Sequence, residues 1–289
     1  MIVGPTAAGK SSVALQVAER VRGRILSLDS MQVYRGMDVG TAKPTASERR
    51  RVPHSMLDLV DPAEEYTVEE FQRQARHVIE TSEEPVVLVG GSGLHMRAVI
   101  DPLEFLPTDI EVRRQLESED PGRLVAELTT VDTAAGEFVD LANPRRVVRA
   151  VEVHRLTGRT PSSIAGEPAR QAVARYESLY PCRIVGLDPG PALAERIDAR
   201  LTAMMRDGFY DEVERLAGRM GRTAGQAVGY RELSDVVAGR RTMEDALVAT
   251  RRATVGLARR QRAWFRRDPR VAWIDPLRDD PVTAVMETA

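Results

Sequence analysis

The apolar residues of the chain form short continuous runs that are separated by longer stretches with helical periodicity. The runs are rich in Val, Ile and Leu, which is typical of buried parallel strands. They predict strands at Ile2–Val3, Arg24–Leu28, Met56–Val60, Val86–Val89, Arg183–Leu187 and Val271–Ile274. Because strands and helices alternate, we predict an α/β fold with a parallel sheet covered by helices on both faces.

Helical periodicity fills the segments between these strands. It begins at Ser11–Val21, and Thr67-Val-Glu-Glu70 has the residues of a capping box at the start of the next helix. Later helices are predicted at Pro191–Asp207, Phe209–Leu216, Gln226–Val237 and Met243–Arg266. The stretch 103–180 is helical throughout, with no clear strand. We therefore predict a core in two parts, 1–102 and 181–289, interrupted by an all-helical insertion domain.

The composition is that of an ordinary globular enzyme. The 289 residues are 43% hydrophobic and 29% charged, and the formal net charge of -2 predicts no partner. A single cysteine, Cys182, excludes an internal disulfide and a thiolate zinc site, and we expect it to be a small buried residue. No stretch approaches the length of a membrane span, so we expect a monomeric cytoplasmic protein that does not bind membranes.

The segment GPTAAGKSS, from Gly4 to Ser12, matches the spacing G-x-x-x-x-G-K-[ST] of a phosphate-binding loop. Its glycines let backbone N–H groups point at phosphate oxygens, and the helix that follows adds its positive N-terminal end. Lys10, one of two lysines among 41 basic residues, supplies a compact ammonium, and Ser11 supplies a hydroxyl that can ligate Mg²⁺. The strand before the loop is short, so we expect a longer native N-terminus.

Asp29 ends the strand that follows the first helix. A carboxylate at the carboxyl end of a parallel strand lies in the crevice where open α/β sheets bind ligands. Asp29 is thus a candidate to hold Mg²⁺ through water or to accept a proton from a nucleophile, and an Asx turn is the structural alternative. Val86–Val89 instead ends in Gly-Gly-Ser-Gly93, without the second acid that a phosphate-loop NTPase needs.

Two arginine clusters favour a polyanionic partner. Between Arg251 and Arg270 there are eight arginines and one acid, with Trp264 and Phe265 among them. A second cluster is the basic helix start Asn143-Pro-Arg-Arg-Val-Val-Arg149. Cations beside aromatic rings suit the phosphates and unstacked bases of RNA, although a helical run of charge is more often a solvated face.

Taken together, these motifs resemble the tRNA dimethylallyltransferases, also named tRNA isopentenyltransferases, over essentially the whole chain. The resemblance is carried, in the family's order, by GPTAAGKSS, DSMQVYRGMDVGTAKP, PHSMLDLVDP, GGSGLH, NPRRVVRAVEV, MMRDGF, QAVGYRE and LARRQRAWFR. It implies a P-loop NTPase-like fold and Mg²⁺. It also implies transfer of a dimethylallyl group from dimethylallyl diphosphate to the exocyclic amine of the adenosine 3′ of the tRNA anticodon, with the insertion clasping the anticodon stem-loop.

The resemblance assigns roles by position in the family's motifs. Asp29 would be the general base, Lys10 and Arg200 would stabilise the departing diphosphate, and Ser11 would hold Mg²⁺. The diphosphate would lie on Gly4, Pro5, Thr6, Ala7, Ala8, Gly9, Lys10 and Ser11. The tRNA would contact Asp29, Ser30, Met31, Gln32, Ser92, Arg113, Arg145, Arg146, Val147, Val148, Arg149, Gln226, Ala227, Val228, Gly229, Tyr230, Arg231, Arg259, Arg260, Gln261, Arg262, Trp264, Phe265 and Arg266.

The chain departs from the family pattern at three positions. Ser55 stands where a second histidine is usual, His95 where tyrosine is usual, and Ser92 where threonine is usual. The serine at 92 keeps the hydroxyl, whereas the other two departures concern the packing around the predicted allyl pocket.

Three other functions remain open at this point. A phosphate-loop kinase or NTPase accounts for the loop and Asp29 but for nothing later in the chain. An adenylate isopentenyltransferase shares the loop and the aspartate but acts on free nucleotide, so the two arginine clusters favour tRNA over it. An RNA-binding module whose loop grips backbone phosphate leaves Asp29 without a role.

Overall fold

The computed structural model describes residues 1–287 and divides the chain into two compact units. The first unit comprises Met1–Val99 together with the chain from Tyr180 onward, and the second comprises Ile100–Leu179. The sequence placed these boundaries at 103 and 180.

Six parallel strands form one sheet in the first unit. The strands are β1 (Ile2–Val3), β2 (Arg24–Ser27), β3 (His54–Ser55), β4 (Val86–Gly90), β5 (Ile184–Leu187) and β6 (Val271–Ile274). Their spatial order is β3-β2-β4-β1-β5-β6. The short β1 lies near the centre because Ile2 pairs with Val89 of β4 on one side and with Val185 of β5 on the other. The prediction of a parallel sheet covered by helices is confirmed.

Fifteen helices are found among the described residues. In the first unit they are α1 (Lys10–Val21), α2 (Ala46–Arg51), α3 (Val68–Thr81), α4 (Gly93–Ile100, whose last residue begins the second unit), α11 (Leu193–Arg206), α12 (Phe209–Leu216), α13 (Tyr230–Val237), α14 (Met243–Phe265) and α15 (Pro281–Glu287). In the second unit they are α5 (Ile110–Ser118), α6 (Pro121–Val131), α7 (Ala135–Phe138), α8 (Pro144–Thr157), α9 (Pro161–Ala165) and α10 (Pro168–Ala174). Single 3₁₀ turns occupy Gly190–Ala192 and Ala224–Gln226.

Each unit has its own apolar core. In the first, the buried face of α1, including Val13, Ala14 and Val17, packs with Ile2 and Val89 of the sheet. In the second, a separate cluster joins α5, α6 and α8, and its members include Leu116, Leu124, Leu128, Val147 and Val151. The helical periodicity of the sequence reports these apolar faces, since each helix buries one side against its neighbours.

The predicted strand Met56–Val60 is wrong. The third strand is His54–Ser55, which pairs with Ile25 and Leu26 of β2. Beyond it, Met56 and Asp58 have positive φ angles of 65° and 56°, which end the extended conformation. Only Met56 of this segment is buried, and Leu57, Leu59 and Val60 are partly exposed, so the apolar run does not mark a buried strand.

Two further expectations differ from the structure. The helix predicted over Gln226–Val237 begins only at Tyr230, because Gly229 has a φ of 89° that interrupts the helical backbone. Cys182 is exposed, so its assignment as a buried residue is wrong. Helix α15 was not predicted; its Val282 and Val285 are buried in the core around α1.

All six strands point the same way, so their carboxyl ends meet at one edge of the sheet. The phosphate loop follows β1, Asp29 follows β2, Gly91 follows β4 and Asp188 follows β5. Ligands of open parallel sheets bind at this edge. The topology thus gathers the motifs of four distant segments into one region of the first unit.

Candidate active site

The phosphate loop, residues 4–11, forms one wall of a cavity at the carboxyl edge of the sheet. This cavity, called the central cavity below, has a volume of about 120 Å³. Its lining includes Lys10, Asp29, Gln32, Arg200 and Gln261. The cavity thus joins Lys10 and Arg200, which were predicted to bind the diphosphate, with Asp29, Gln32 and Gln261, which were predicted to contact the tRNA.

The loop has the backbone that phosphate binding requires. Gly4 has a φ of 135°, and a Cβ at this position would lie 2.3 Å from the Leu187 carbonyl oxygen, so only glycine fits. Gly9 has left-handed backbone directly before α1, and no side chain among the described residues caps that helix. The N-terminal N–H groups of α1 therefore remain directed at a ligand beside the loop.

Lys10 and Arg200 place two cations on this ligand position. The Lys10 ammonium donates to the Pro5 carbonyl oxygen at 2.7 Å, and the Arg200 guanidinium donates to the Thr6 hydroxyl at 3.2 Å. Burial, together with the nearby charge of Arg200, lowers the pKa of Lys10 to about 7, and the charge of Asp29 opposes this shift. Neither cation has a carboxylate within 4 Å among residues 1–287.

Arg196 is a loop contact that the sequence analysis missed. It lies one turn before Arg200 on α11, and its guanidinium donates to the Ala7 carbonyl oxygen at 2.8 Å. The spacing of four residues places both side chains on the same helix face. The sequence could have identified Arg196 as a loop contact, because it lies four residues before Arg200 on a helix that was predicted.

Asp29 is held in a defined orientation across the cavity. Its Oδ1 accepts the Met31 N–H at 2.8 Å, which is the hydrogen bond of an Asx turn. The Asx turn, which was the structural alternative for Asp29, is therefore present and engages one oxygen of the carboxylate. The side chain also lines the cavity, and its charge acts on Lys10, Arg200 and His95. A carboxylate in this position can accept a proton from a bound nucleophile.

Ser92 and His95 form a polar pair, and the charge of Asp29 acts on His95. The Ser92 hydroxyl and the His95 Nδ1 are 2.7 Å apart, and the His95 ring packs edge-on against Phe71 with 4.6 Å between ring centroids. Burial lowers the pKa of His95 to about 4, against the opposing charge of Asp29. The imidazole is thus neutral near pH 7, and its contact fixes the Ser92 hydroxyl.

A second wall of the cavity is the segment 38–44, which two buried ionic side chains hold in place. The Glu212 carboxylate accepts the backbone N–H groups of Asp38, Val39 and Gly40 at 2.8, 2.8 and 3.1 Å, and also the Tyr230 hydroxyl. The buried Lys43 ammonium binds the carboxylates of Asp38 and Asp58 at 2.6 and 2.7 Å. Removing either group would leave several hydrogen-bond partners in this segment without their contact.

Gln32 has a structural role in this wall. Its Oε1 accepts the Ser27 hydroxyl at 2.8 Å, and its Nε2 donates to the Thr41 and Ala42 carbonyl oxygens at 3.1 and 3.2 Å. Both ends of the amide are therefore engaged within the protein. A role for Gln32 beside the acceptor base is indirect, through the shape of the cavity.

A larger open cleft of about 1030 Å³ adjoins the same groups. It shares Lys10, Ser11, Ala42, Pro44 and Arg200 with the central cavity, and its other lining residues include Val39, Ala203 and Met204. Lys10, Ser11 and Arg200, the predicted diphosphate ligands, are therefore accessible from both the central cavity and this cleft.

The described residues contain no group of three or more His, Cys, Asp or Glu side chains that could hold a metal ion. Ser11, the predicted Mg²⁺ ligand, is exposed at the start of α1 and lines both the central cavity and the adjoining cleft. Mg²⁺ commonly takes one or two protein ligands and completes its shell with phosphate oxygens and water. The residues at the loop fit such an arrangement.

The predicted tRNA contacts fall into exposed, paired and buried groups. The exposed side chains are those of Arg145, Arg146, Gln226, Arg231, Arg259, Arg260, Trp264 and Arg266. The residues Ser30, Met31, Ser92 and Val228 are partly exposed. These side chains are accessible to RNA at the surface of their own unit, and two of them, Arg231 and Arg266, also bind the buried carboxylates of Glu232 and Asp188.

Several predicted arginine contacts bind carboxylates of the protein instead. Arg113 and Arg149 both bind the fully buried Glu152, at 2.6 and 2.7 Å. Arg262 binds Asp188 at 2.6 Å, and Arg266 binds the same carboxylate at 3.2 Å. These arginines neutralise internal acids, which limits their charge for RNA.

The remaining predicted contacts have buried side chains. Val147 and Val148 pack in the core of the second unit, and Tyr230 and Phe265 are fully covered. Ala227 and Gly229 are also buried. The structure does not offer these side chains to RNA, because helices α8, α13 and α14 use the same faces for packing.

Comparisons with known proteins place the chain in a family. The family model for IPP transferase matches residues 32–268. A tRNA dimethylallyltransferase of Bifidobacterium longum is 42% identical, over 96% of this chain and 86% of that protein. The structure of a tRNA isopentenylpyrophosphate transferase from Bacillus halodurans is 35% identical, with a TM-score of 0.69, and the match covers 99% of this chain and 92% of that one.

A more distant structure agrees in fold. A eukaryotic dimethylallyltransferase that acts on tRNA is 23% identical, with a TM-score of 0.79 over 99% of this chain and 76% of that one. The extent of the family match and the identity over nearly the whole chain agree with the motifs at the carboxyl edge of the sheet. The chain belongs to the IPP transferase family, the family of the tRNA dimethylallyltransferases.

Proposed function

We propose that the protein transfers the dimethylallyl group of dimethylallyl diphosphate to the exocyclic amine of the adenosine 3′ of the anticodon in tRNA, releasing diphosphate. One observation carries the proposal: Lys10 and Arg200 on one side and Asp29 on the other face the same small cavity. This arrangement places a binding position for a departing anion opposite a base for an incoming nucleophile.

In the proposed reaction one bond forms at the allylic carbon and one bond to that carbon breaks. The adenosine nitrogen forms a bond to the first allylic carbon while the bond from that carbon to the diphosphate oxygen breaks. The proton of the amine passes to the Asp29 carboxylate, whose Oδ1 is already held by the Met31 N–H. Lys10, Arg200 and the N–H groups at the start of α1 receive the negative charge of the leaving diphosphate.

Mg²⁺ belongs to this proposal. Ser11 would hold it, with diphosphate oxygens and water as the other ligands. When bound, the ion supplies positive charge that neutralises the diphosphate. Every other part of the reaction depends on the protein groups named above.

The tRNA would be bound by the exposed cations of each unit, Arg145 and Arg146 in the second and Arg259 and Arg260 in the first. Trp264, also exposed, offers a ring on which a base can stack. The acceptor adenosine must leave its stack to enter the cavity, so we expect base flipping. Because tRNA is the substrate, we infer that the protein acts in the cytoplasm. No helix within residues 1–287 has the length and apolarity of a membrane span.

The test is a transfer assay with radiolabelled dimethylallyl diphosphate and Mg²⁺. Unmodified tRNA, AMP and ATP are supplied as alternative partners. We expect label in tRNA alone, at the adenosine 3′ of the anticodon. Label in AMP but not in tRNA would identify an adenylate isopentenyltransferase, and phosphate release from ATP alone would identify an NTPase. Binding of tRNA without transfer would identify an RNA-binding module.

A further inference from the structure

Gln261 connects the arginine-rich helix α14 to the phosphate loop. Its Oε1 accepts the Thr6 N–H at 2.8 Å, and its side chain lines the central cavity. The hydroxyl of the same Thr6 accepts a hydrogen bond from Arg200. Thr6 is thus held through its backbone by Gln261 and through its side chain by a predicted diphosphate ligand.

The glycine-rich turn after β4 confines the Gln261 amide from the other side. A Cβ on Gly91 would lie 2.4 Å from the Gln261 Nε2, and a Cβ on Gly93 would lie 2.0 Å from the Trp264 Cδ1. Gln261 and Trp264 are three residues apart, on one face of α14. The absence of side chains at the two glycines allows this face to pack directly on the turn.

Arg262, the residue after Gln261, fixes the position of α14 along the helix axis. Arg262 binds Asp188 at 2.6 Å, and Asp188 directly follows β5 at the same edge of the sheet. Gln261 is therefore set in position by the turn after β4, by the carboxyl end of β5 and by the phosphate loop itself. A side chain with so many neighbours has little freedom to turn outward toward RNA.

On the basis of the proposed function, we propose that Gln261 is a positioning residue for the diphosphate that acts through the Thr6 backbone. The family's motif places Gln261 among the tRNA contacts, whereas its hydrogen bond belongs to the phosphate loop. A loop fixed before the ligand arrives needs little reorganisation to receive the developing charge. Without Gln261, the Thr6 N–H loses its acceptor, and the loop that carries Lys10 and Ser11 is free to shift.

The test variant is Gln261→Met, which keeps the length of the side chain and removes the acceptor. Isothermal titration with inorganic diphosphate and Mg²⁺ should show affinity weakened by about tenfold, because the loop loses the hydrogen bond that fixes Thr6 before the ligand arrives. The KM for dimethylallyl diphosphate should rise by a similar factor while the KM for tRNA is unchanged. Amide hydrogen exchange in residues 4–11 should become faster, which reports the loop without any activity measurement.

The matched control is Arg260→Met, on the neighbouring and exposed position of α14. We expect the opposite pattern, with weaker binding of an anticodon stem-loop RNA and unchanged affinity for inorganic diphosphate. If Gln261→Met weakened RNA binding and left both diphosphate affinity and loop exchange unchanged, Gln261 would be a tRNA contact and the proposal would be wrong.

The experiment separates this inference from the proposed function. Should the wild-type protein transfer no dimethylallyl group to tRNA, the proposed function fails. The diphosphate titration and the amide exchange still test Gln261 in that case. If the wild-type protein transfers the group and Gln261→Met matches it in diphosphate affinity, in KM for the donor and in loop exchange, only the inference fails.

Discussion

Asp29 and Asp188 both follow strands at the carboxyl edge of the sheet, but they have different surroundings. Asp188 binds the guanidinium groups of Arg262 and Arg266, and its Oδ1 also accepts the Gly190 N–H. Its side chain is 8% exposed. Asp29 accepts one backbone N–H, lines the central cavity and has no salt bridge among the described residues.

The difference between the two aspartates supports the proposal that Asp29 is the reactive acid and Asp188 a structural one. Both aspartates lie at the same edge of the sheet because each follows a strand. They differ in whether a neighbouring cation of the protein already pairs with the carboxylate. The charge of Asp188 is fully satisfied within the protein and joins α14 to β5. The charge of Asp29 faces Lys10 and Arg200 across a space that a ligand can occupy.

The largest effect is expected for Asp29→Ala. Loss of a positioned general base should lower kcat by about 10²- to 10⁴-fold, while tRNA binding and the melting temperature change little. Steady-state kinetics with saturating tRNA measure this. Asp29→Asn is the matched control: it keeps an acceptor for the Met31 N–H but is not a base, so we expect an equal loss. Near wild-type turnover in either variant would remove Asp29 from the mechanism.

Asp188→Ala should affect stability. Removing the acid leaves Arg262 with its guanidinium unpaired in a partly buried site, and the free energy of unfolding should fall by about 3 kcal/mol. Urea denaturation measures the change. Arg262→Met should lower it as well, whereas Arg266→Met, at a more exposed side chain, should lower it less. Equal stability of Asp188→Ala and the wild type would contradict a structural role.

The binding of diphosphate should depend on pH through Lys10. Its pKa of about 7 in the free protein means that the ammonium is present below pH 7 and is lost above it. Affinity for inorganic diphosphate should therefore fall by up to about tenfold per pH unit above 7, and binding near neutral pH should take up a proton. Titration in buffers of different ionisation enthalpy measures this uptake. In Lys10→Met the share of the slope and of the uptake that Lys10 contributes should disappear, which leaves only the ionisation of diphosphate itself.

The smallest effect is expected at an exposed arginine of α14. Arg260→Met should weaken binding of an anticodon stem-loop by a few fold and reduce the salt dependence of binding by about one counterion or less. Stability should be unchanged, because the side chain lies in solvent. If Arg262→Met, after correction for its stability, reduced the salt dependence more than Arg260→Met, the assignment of Arg262 to an internal ion pair would be wrong.

Local sequence patterns were sufficient wherever neighbouring residues determine the structure. The phosphate loop is such a case, because its glycine spacing, Lys10 and Ser11 lie within nine consecutive residues directly before and at the start of α1. The sheet was also predictable, because buried parallel strands are continuous apolar runs. The strand at Met56–Val60 failed for the converse reason: positive φ angles at Met56 and Asp58 end the extended backbone, and of its apolar residues only Met56 is buried.

The family motifs predicted a set of site residues but did not show which of them bind other parts of the protein. Glu212, Lys43 and Arg196 hold the segment 38–44 and the phosphate loop through contacts between distant parts of the chain. No local pattern predicts such pairs, because a charged residue on a helix looks the same whether its partner is water, a buried backbone or RNA.

The sequence by itself determined the family and the α/β fold. It also located the phosphate loop and Asp29 at the ends of their strands. Only the tertiary structure decided which charges remain free for ligands. It paired Arg262 with Asp188, and Arg113 and Arg149 with Glu152. It left Lys10, Arg200 and Asp29 around one cavity and turned Gln261 toward Thr6. The physical reason is that an ion pair or a buried hydrogen bond forms between residues that folding brings together, so the free charges are known only when the internal partners are known.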